Sequence, residues 1–372
     1  MAIAPKISAT LSFIACTYAM ISILKNPAKR QKIYHRLIAA MCLASIPSSI
    51  AYFCGTWAIP VGTPSVAGAS GNINTCTAQG FTLQLFGSAL SLYYAALICY
   101  SFLAVFHEFS MEKLGYFKRG IHAGIYAWPL ASSSVGVAKQ LYNPGASWCA
   151  IEPFPRECGS KDDIQCIRGP SNPAWWKWIL STIPLFLTIA ISTFTIVLLW
   201  VTVKNKGRRS KELLGKQIIL DGYRHQKSRT VARQASLYLA AFYASYFFPL
   251  VTTMVNTQMG TASFFPLEII SNTILPLHGF IFVIVYIRLQ SRSEQGSLAI
   301  TPLENHTHVS LSSMRSGDNN FEKQKINNPK KKTMFDGMSD DEKWGLFGVY
   351  VGDSDDDGDE GDTEQDSCLP DL

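Results

Sequence analysis

Residues Ile7–Arg36 read "ISATLSFIACTYAMISILKNPAKRQKIYHR". The first part, Ile7–Leu24, carries no charge, and the part that follows carries Lys25, Lys29, Arg30, Lys32 and Arg36 with no acid. An uncharged apolar run of about eighteen residues is long enough to cross a bilayer as a helix, the form in which every backbone N–H and C=O is satisfied without water. Lysine and arginine gather on the cytoplasmic side of such a helix. The stretch therefore predicts a span that starts outside and ends inside. Lys6 alone is a weak basic leader, and the run followed by "KNPAKRQK" reads as a retained helix rather than a cleaved signal peptide.

The pattern recurs along the chain. Further apolar runs stand at about Leu37–Ala58, Ala78–Phe106, Ile121–Leu141, Trp178–Val203, Gln234–Asn256 and Phe265–Ile287. With the first, they make seven spans. Composition agrees, since 48% of the 372 residues are hydrophobic and 16% are charged, against about a quarter charged in soluble domains. The fourth span holds His122 and Lys139 near its ends, and the seventh holds Glu268 and His278. The apolar runs lack the alternation of barrel strands, so the expected fold class is an all-α membrane protein, a seven-transmembrane helix bundle with a disordered acidic C-terminal tail. Its expected division is a short external N-terminus at 1–6, the bundle at 7–288 and a cytoplasmic tail at 289–372.

Charge sets the orientation. The connection after the third span has Lys113, Lys118 and Arg119, and that after the fifth, Lys204 to Arg233, has ten Lys or Arg against Glu212 and Asp221. The alternate connections at 59–77 and 257–264 are uncharged, and 142–177 mixes both signs. This places the N-terminus outside and the C-terminus in the cytoplasm. Cys76, Cys149, Cys158 and Cys166 then all fall on the external side, where disulfides form. Four cysteines allow three pairings. A Cys76–Cys149 bridge would tie the second external loop over the bundle, and Cys158–Cys166 would close a small local loop, with free thiols the remaining alternative.

Several functions lack the residues they need. A retinal protein requires a Schiff-base lysine in the seventh span, and Phe265–Ile287 has none. A membrane zinc hydrolase needs several His or Asp converging at one depth, and only His278 is deep. Transporters commonly show paired Gly/Pro breaks in two repeated halves, and no internal repeat is visible. Nucleotide-binding glycine loops and kinase motifs are absent. The chain is therefore read as not an enzyme, with no cofactor, no metal and no nucleic-acid partner.

Finer motifs carry a likeness. "WCAIEP" (Trp148–Pro153) in the second external loop, "RQASLYLAAFYASYFFP" (Arg233–Pro249) in the sixth span and "LPLHGFIFVIVYIR" (Leu275–Arg288) in the seventh resemble the cyclic-AMP-receptor-like and fungal glucose-receptor-like branch of the G-protein-coupled receptors. The likeness covers about Ile7–Arg288. It implies a plasma-membrane receptor for a small extracellular ligand that signals through a heterotrimeric G protein, and it favours Cys76–Cys149 as the conserved-position bridge of that superfamily. The chain departs from the rhodopsin-like branch: "FHEFS" (Phe106–Ser110) stands where that branch has Asp-Arg-Tyr, and the seventh span has Pro276 and Tyr286 but no Asn-Pro-x-x-Tyr. A multi-pass transporter or channel is the alternative reading.

With so short an N-terminus, the ligand is expected to enter the bundle or its external loops. Lys139, Lys177, Glu268 and His278 are candidate ligand residues because ionisable groups at membrane depth are costly and commonly functional. Snorkelling to the interface is the plainer role for the two lysines. Tyr93 and Tyr94, with Tyr246 and Phe247 beside Pro249, are candidate pocket aromatics, although packing or lipid contact serves each equally well. Arg224, Lys227, Arg229 and Arg233, leading into the sixth span, are the candidate G-protein contacts, and anionic lipid competes for the same charge.

The tail after Arg288 is polar and low in apolar residues. "NNPKKK" (Asn327–Lys332) is a basic patch suited to anionic lipid. "DSDDDGDEGDTE" (Asp353–Glu364) matches a calcium-loop pattern. An exit helix fails after Glu364, a second loop is absent, and a stretch so rich in Asp meets the pattern by chance, so it is read as a solvated acidic tail. Ser339 and Ser354 precede acidic residues, and phosphate there would recruit tail-binding regulators.

Overall fold

In the computed structural model the described residues are 3–64, 66–107, 115–155, 158, 165–170, 172–212, 218–259 and 265–298. The tail with its acidic loop, its basic patch and its serines lies outside them. Ten α-helices and one hairpin follow in order: α1 Ile3–Lys25, α2 Pro27–Gln31, α3 Ile33–Cys54, α4 Ile73–Phe106, α5 Gly115–Ala138, β1 Tyr142–Pro144, β2 Cys149–Ile151, α6 Pro173–Lys177, α7 Ile183–Glu212, α8 Ile218–Met259, α9 Phe265–Ile274 and α10 His278–Leu298. A π turn, Trp178–Thr182, joins α6 to α7, and a 3₁₀ turn, Leu275–Leu277, joins α9 to α10. Counted as continuous rods, these make seven long helices: α1, α3, α4, α5, α6–α7, α8 and α9–α10.

Six of the rods are long and apolar enough to cross a membrane, among the described residues. The remaining one, α5, is diluted by Gly120, Gly124, Gly136 and the run Ser132–Ser134. The way the helices use their faces shows what surrounds them. On α1, Ile3, Ile7, Leu11, Ile14 and Tyr18 are exposed, whereas Ser8, Ala9, Ser12, Cys16 and Ala19 are buried. On α7, Ile183, Leu187, Ile191 and Phe194 face out, while Thr188, Ser192 and Thr195 face in. Large apolar side chains outside and small or hydroxylated ones inside is the arrangement for lipid, where hydrophobicity does not drive helices together and close packing and hydrogen bonds do. This is an all-α, seven-helix membrane bundle.

The third rod, α4, runs through the middle and touches α3, α5, α7 and α8, and α1 closes the ring by packing on α3 and α10. The main core lies around it, built on Tyr93, Tyr94, Leu97, Phe242 and Phe282. Tyr94 packs at a tilt against Phe242 with centroids 5.1 Å apart and meets Phe282 edge-on at 6.2 Å.

Several helices extend beyond the apolar runs, whereas α3 stops at Cys54 short of Ala58 and α5 at Ala138 short of Leu141. α4 begins at Ile73 rather than Ala78 because Asn72 and Thr75 form a reciprocal capping box, and the Thr75 hydroxyl also donates to Ala58 O at 2.8 Å. The connection expected at Lys204–Arg233 is largely helical, with α7 reaching Glu212 and α8 starting at Ile218. Lys, Arg, Gln and Glu are good helix formers in water, so charge ends the membrane span without ending the helix. α10 likewise runs through Leu298, beyond the expected bundle end at Arg288.

Candidate ligand cleft and the basic end of the bundle

One end of the bundle is capped by the hairpin. Its strands pair antiparallel, Tyr142 with Ile151 and Pro144 with Cys149. Cys149 is disulfide-bonded to Cys76 in the first turn of α4, with Cα atoms 5.3 Å apart, and Cys158 is bonded to Cys166. Gln79, one turn further along α4, is buried and fully used. Its amide donates to Ala51 O at 2.8 Å and Gly55 O at 3.0 Å, and its carbonyl accepts the Cys149 N–H at 2.8 Å. The hairpin is thus pinned to α4 by a covalent bond and a hydrogen bond side by side.

Tyr142 drives a wedge between α4 and α5. A Cβ on Gly80 would lie 2.6 Å from the Tyr142 ring, and one on Gly136 would meet its hydroxyl, so glycine at both positions makes the slot. The Tyr142 hydroxyl donates to Ser133 O at 3.1 Å. Trp148 packs edge-on against Tyr52 of α3, centroids 4.8 Å apart.

Beneath the hairpin lies a cleft of about 170 Å³, lined by Tyr52, Leu83, Gln84, Tyr142, Trp148 and Lys177 among others. Gln84 ties its floor across three helices: its amide donates to Leu180 O at 3.0 Å and to Ser132 Oγ at 3.3 Å, and its carbonyl accepts from Ser181 Oγ at 2.9 Å. Leu180 and Ser181 lie in the π turn, where the ordinary hydrogen-bond ladder is interrupted and carbonyls are released to side-chain donors. Lys177 pairs with Glu152 at 2.6 Å, both about one-third exposed. The cleft therefore offers aromatic faces, one amide and a solvent-reachable pair of opposite charges. Outside it, Arg168 donates to Thr77 Oγ1 at 3.0 Å, and burial lowers its pKa below the usual guanidinium value.

The sequence-selected residues are not gathered at one place. Lys177 lines the cleft, whereas Lys139 is exposed at the end of α5. Tyr93 is buried between α4 and α5, its hydroxyl 2.9 Å from His122 Nδ1. Tyr94 and Tyr246 are buried core rings, both against Phe242. Phe247 points outward at 54% exposure, the lipid-facing alternative. Glu268 is half-buried in α9. His278 is a helix-to-helix connector: Nδ1 is 2.7 Å from Leu275 O and Nε2 is 3.2 Å from Ser45 Oγ. Gln79, Gln84, Tyr142 and Glu152 were missed by the sequence reading. The one signal for them was proximity to the paired cysteines, since uncharged glutamines inside an apolar run stand out by no other rule.

The opposite end is basic. The Lys206 ammonium of α7 donates to Val105 O at the end of α4, 2.8 Å away. Arg229 and Arg233 are exposed on α8 and Lys227 is half-buried; the Arg224 side chain lies outside the described set. Beside α2, burial and then the neighbouring Lys29 lower the Lys32 pKa below its ordinary value. Among the described residues no group of three metal-ligating side chains converges.

No protein-family model matches this sequence, and no curated protein does. Among solved structures, the crystal structure of squid rhodopsin superposes with a TM-score of 0.56 at 12% identity, covering 79% of this chain and 79% of that one. At that identity the likeness is one of architecture, and it shows that this chain has the seven-helix fold seen in squid rhodopsin.

Proposed function

We propose that this chain is a cell-surface receptor of the G-protein-coupled kind, with its N-terminus and hairpin outside and its basic end in the cytoplasm. A small extracellular ligand enters the hairpin cleft, and a heterotrimeric G protein docks at the basic end around Arg224, Lys227, Arg229 and Arg233. The observation that carries the reading is the seven-helix fold combined with a hairpin bonded through Cys149 to the head of α4 over a cleft. The alternating basic excess supports the orientation. The three sequence motifs support the cyclic-AMP-receptor-like branch and a non-enzymatic role. Membrane lipid surrounds the bundle, and regulators bind the tail.

The ligand in this reading is small and polar, because the cleft is about 170 Å³ and presents Gln84 with the Lys177–Glu152 pair beside Trp148 and Tyr142. Cells expressing the chain, exposed to a panel of small polar metabolites, should give a second-messenger response to at least one. Trp148→Ala should lose that response while reaching the surface. Solute flux into liposomes holding the chain alone, with no second-messenger response, would instead establish the transporter reading.

A further inference from the structure

Several polar groups around the ligand cleft are already spent on the protein itself. Gln84 gives its amide hydrogens to Leu180 O and Ser132 Oγ, Ser181 gives its hydroxyl hydrogen to the Gln84 carbonyl, and Tyr142 gives its own to Ser133 O. Leu83, Ile151 and the Trp148 ring add apolar wall. Among the described residues, the other charges at this end, Lys6, Lys139, Arg168 and Glu268, do not line the cleft. Its charge therefore comes from the Lys177–Glu152 pair.

That pair joins two separately anchored elements. Glu152 follows β2, where its N–H donates to Leu141 O at 3.3 Å and its carbonyl accepts from the Asn143 amide at 2.9 Å. Lys177 ends α6, and its carbonyl accepts from the Thr182 hydroxyl at 3.4 Å across the π turn. Both backbones are held, and only the two side chains bridge them. An ion pair one-third exposed on each side is screened by water and holds weakly, so parting it costs little. Once parted, it offers one cation and one anion to the same small space. A ligand with a single negative charge would pair with Lys177 but meet repulsion from Glu152, and one with a single positive charge would meet repulsion from Lys177. A ligand with both charges satisfies both groups.

We infer that the cleft takes a zwitterion, an α-amino acid with a small apolar side chain, whose carboxylate pairs with the Lys177 ammonium and whose ammonium pairs with the Glu152 carboxylate. In such a molecule the two charged groups hang from one carbon, which suits two protein charges that stand 2.6 Å apart before the ligand divides them. The side chain lies against Leu83, Ile151 and Trp148. A volume of about 170 Å³, the space of about five or six waters, limits the ligand to amino-acid size. The inference rests on the reading of this cleft as a ligand site and narrows that ligand from polar to zwitterionic.

The test measures binding to the full chain in lipid nanodiscs, without G protein, by calorimetry. The probes are L-valine, L-leucine, and the two leucine analogues that each keep one charge, 4-methylpentanoate and 3-methylbutylamine. At least one of the amino acids should bind, and each analogue should bind about tenfold or more weakly than L-leucine, the loss expected for one charged hydrogen-bonding partner. Lys177→Gln and Glu152→Gln should each weaken amino-acid binding by a similar factor. Binding of either analogue as tight as that of L-leucine would overturn the inference, as would the absence of amino-acid binding or full affinity in both Gln variants. The analogue series uses the parent chain, so it decides the matter even if a variant does not fold. A second-messenger response to an uncharged metabolite, with no amino-acid binding, would overturn the zwitterion and leave the receptor reading standing. Amino-acid binding that follows the charge pattern, with no G-protein response to it, would support the zwitterion and count against the receptor reading.

Discussion

At the scale of single residues, the hairpin end depends on side chains that fit where no alternative fits. Tyr142 occupies a slot that exists because positions 80 and 136 are glycine. Overfilling a packed site costs about 1–3 kcal/mol, so Gly80→Val should lower the thermal midpoint of the purified chain, and adding Tyr142→Ala should recover part of the loss. A Gly80→Val chain as stable as the parent would remove the wedge from the account. The Lys177–Glu152 pair belongs to a different class. Each partner is about one-third exposed, and such pairs contribute under about 1 kcal/mol because water screens them. Glu152→Gln should therefore leave the thermal midpoint nearly unchanged while reducing the ligand response, and a large fall in stability would assign the pair to structure. Lys177 was legible in the sequence because a charge at the end of an apolar run is conspicuous. Glu152 was not, because it stands among ordinary polar loop residues and only the hairpin turns it toward Lys177.

At the scale of elements, the rod α9–α10 shows how neighbouring helices repair a break. Pro276 has no N–H and interrupts the ladder. Ser12 of α1 braces the turn that follows: its hydroxyl donates to Pro276 O at 2.6 Å and accepts the Phe280 N–H at 3.2 Å. Gly279 lets the helices close in, since a Cβ there would lie 2.5 Å from Ser45 Oγ and 2.9 Å from Cys16 Sγ. Ser12→Ala leaves both backbone groups buried without that hydroxyl, at about 1–3 kcal/mol. It should reduce thermal stability clearly more than Thr10→Ala, whose hydroxyl is exposed and bonds within its own helix; equal effects would contradict the repair. The seven rods were legible because lipid demands long apolar runs, and runs survive in composition alone. Their ends were not, because Asn72 and Thr75 add a capped turn outside the apolar stretch and the lysines and arginines after Val203 continue a helix in water. The hairpin was invisible for another reason. Its strands are three residues each, too short for alternation to register.

At the scale of the whole molecule, one end is closed by a disulfide-bonded hairpin over a cleft and the other carries most of the cationic side chains among the described residues. That polarity predicts a fixed orientation. A tag at residue 1 should label on intact cells and one at residue 372 only after permeabilisation; the reverse pattern would place the cleft inside the cell. The main core runs from Tyr93 and Tyr94 to Tyr238, Phe242 and Phe282, the hairpin end has smaller clusters of its own around Tyr142 and Cys149, and α4 contributes to all three, so in the receptor reading a ligand at the cleft biases the basic end through α4. The most direct test of this coupling is guanine-nucleotide exchange on a purified heterotrimeric G protein by the chain in liposomes, with an active compound from the metabolite panel applied to the hairpin side. Exchange should rise on adding the compound, and a variant with Arg224, Lys227, Arg229 and Arg233 all changed to Gln should bind the compound yet leave exchange at its basal rate. Unstimulated exchange in the parent chain, or full stimulation in the four-Gln variant, would contradict a receptor that reaches its G protein through the start of α8.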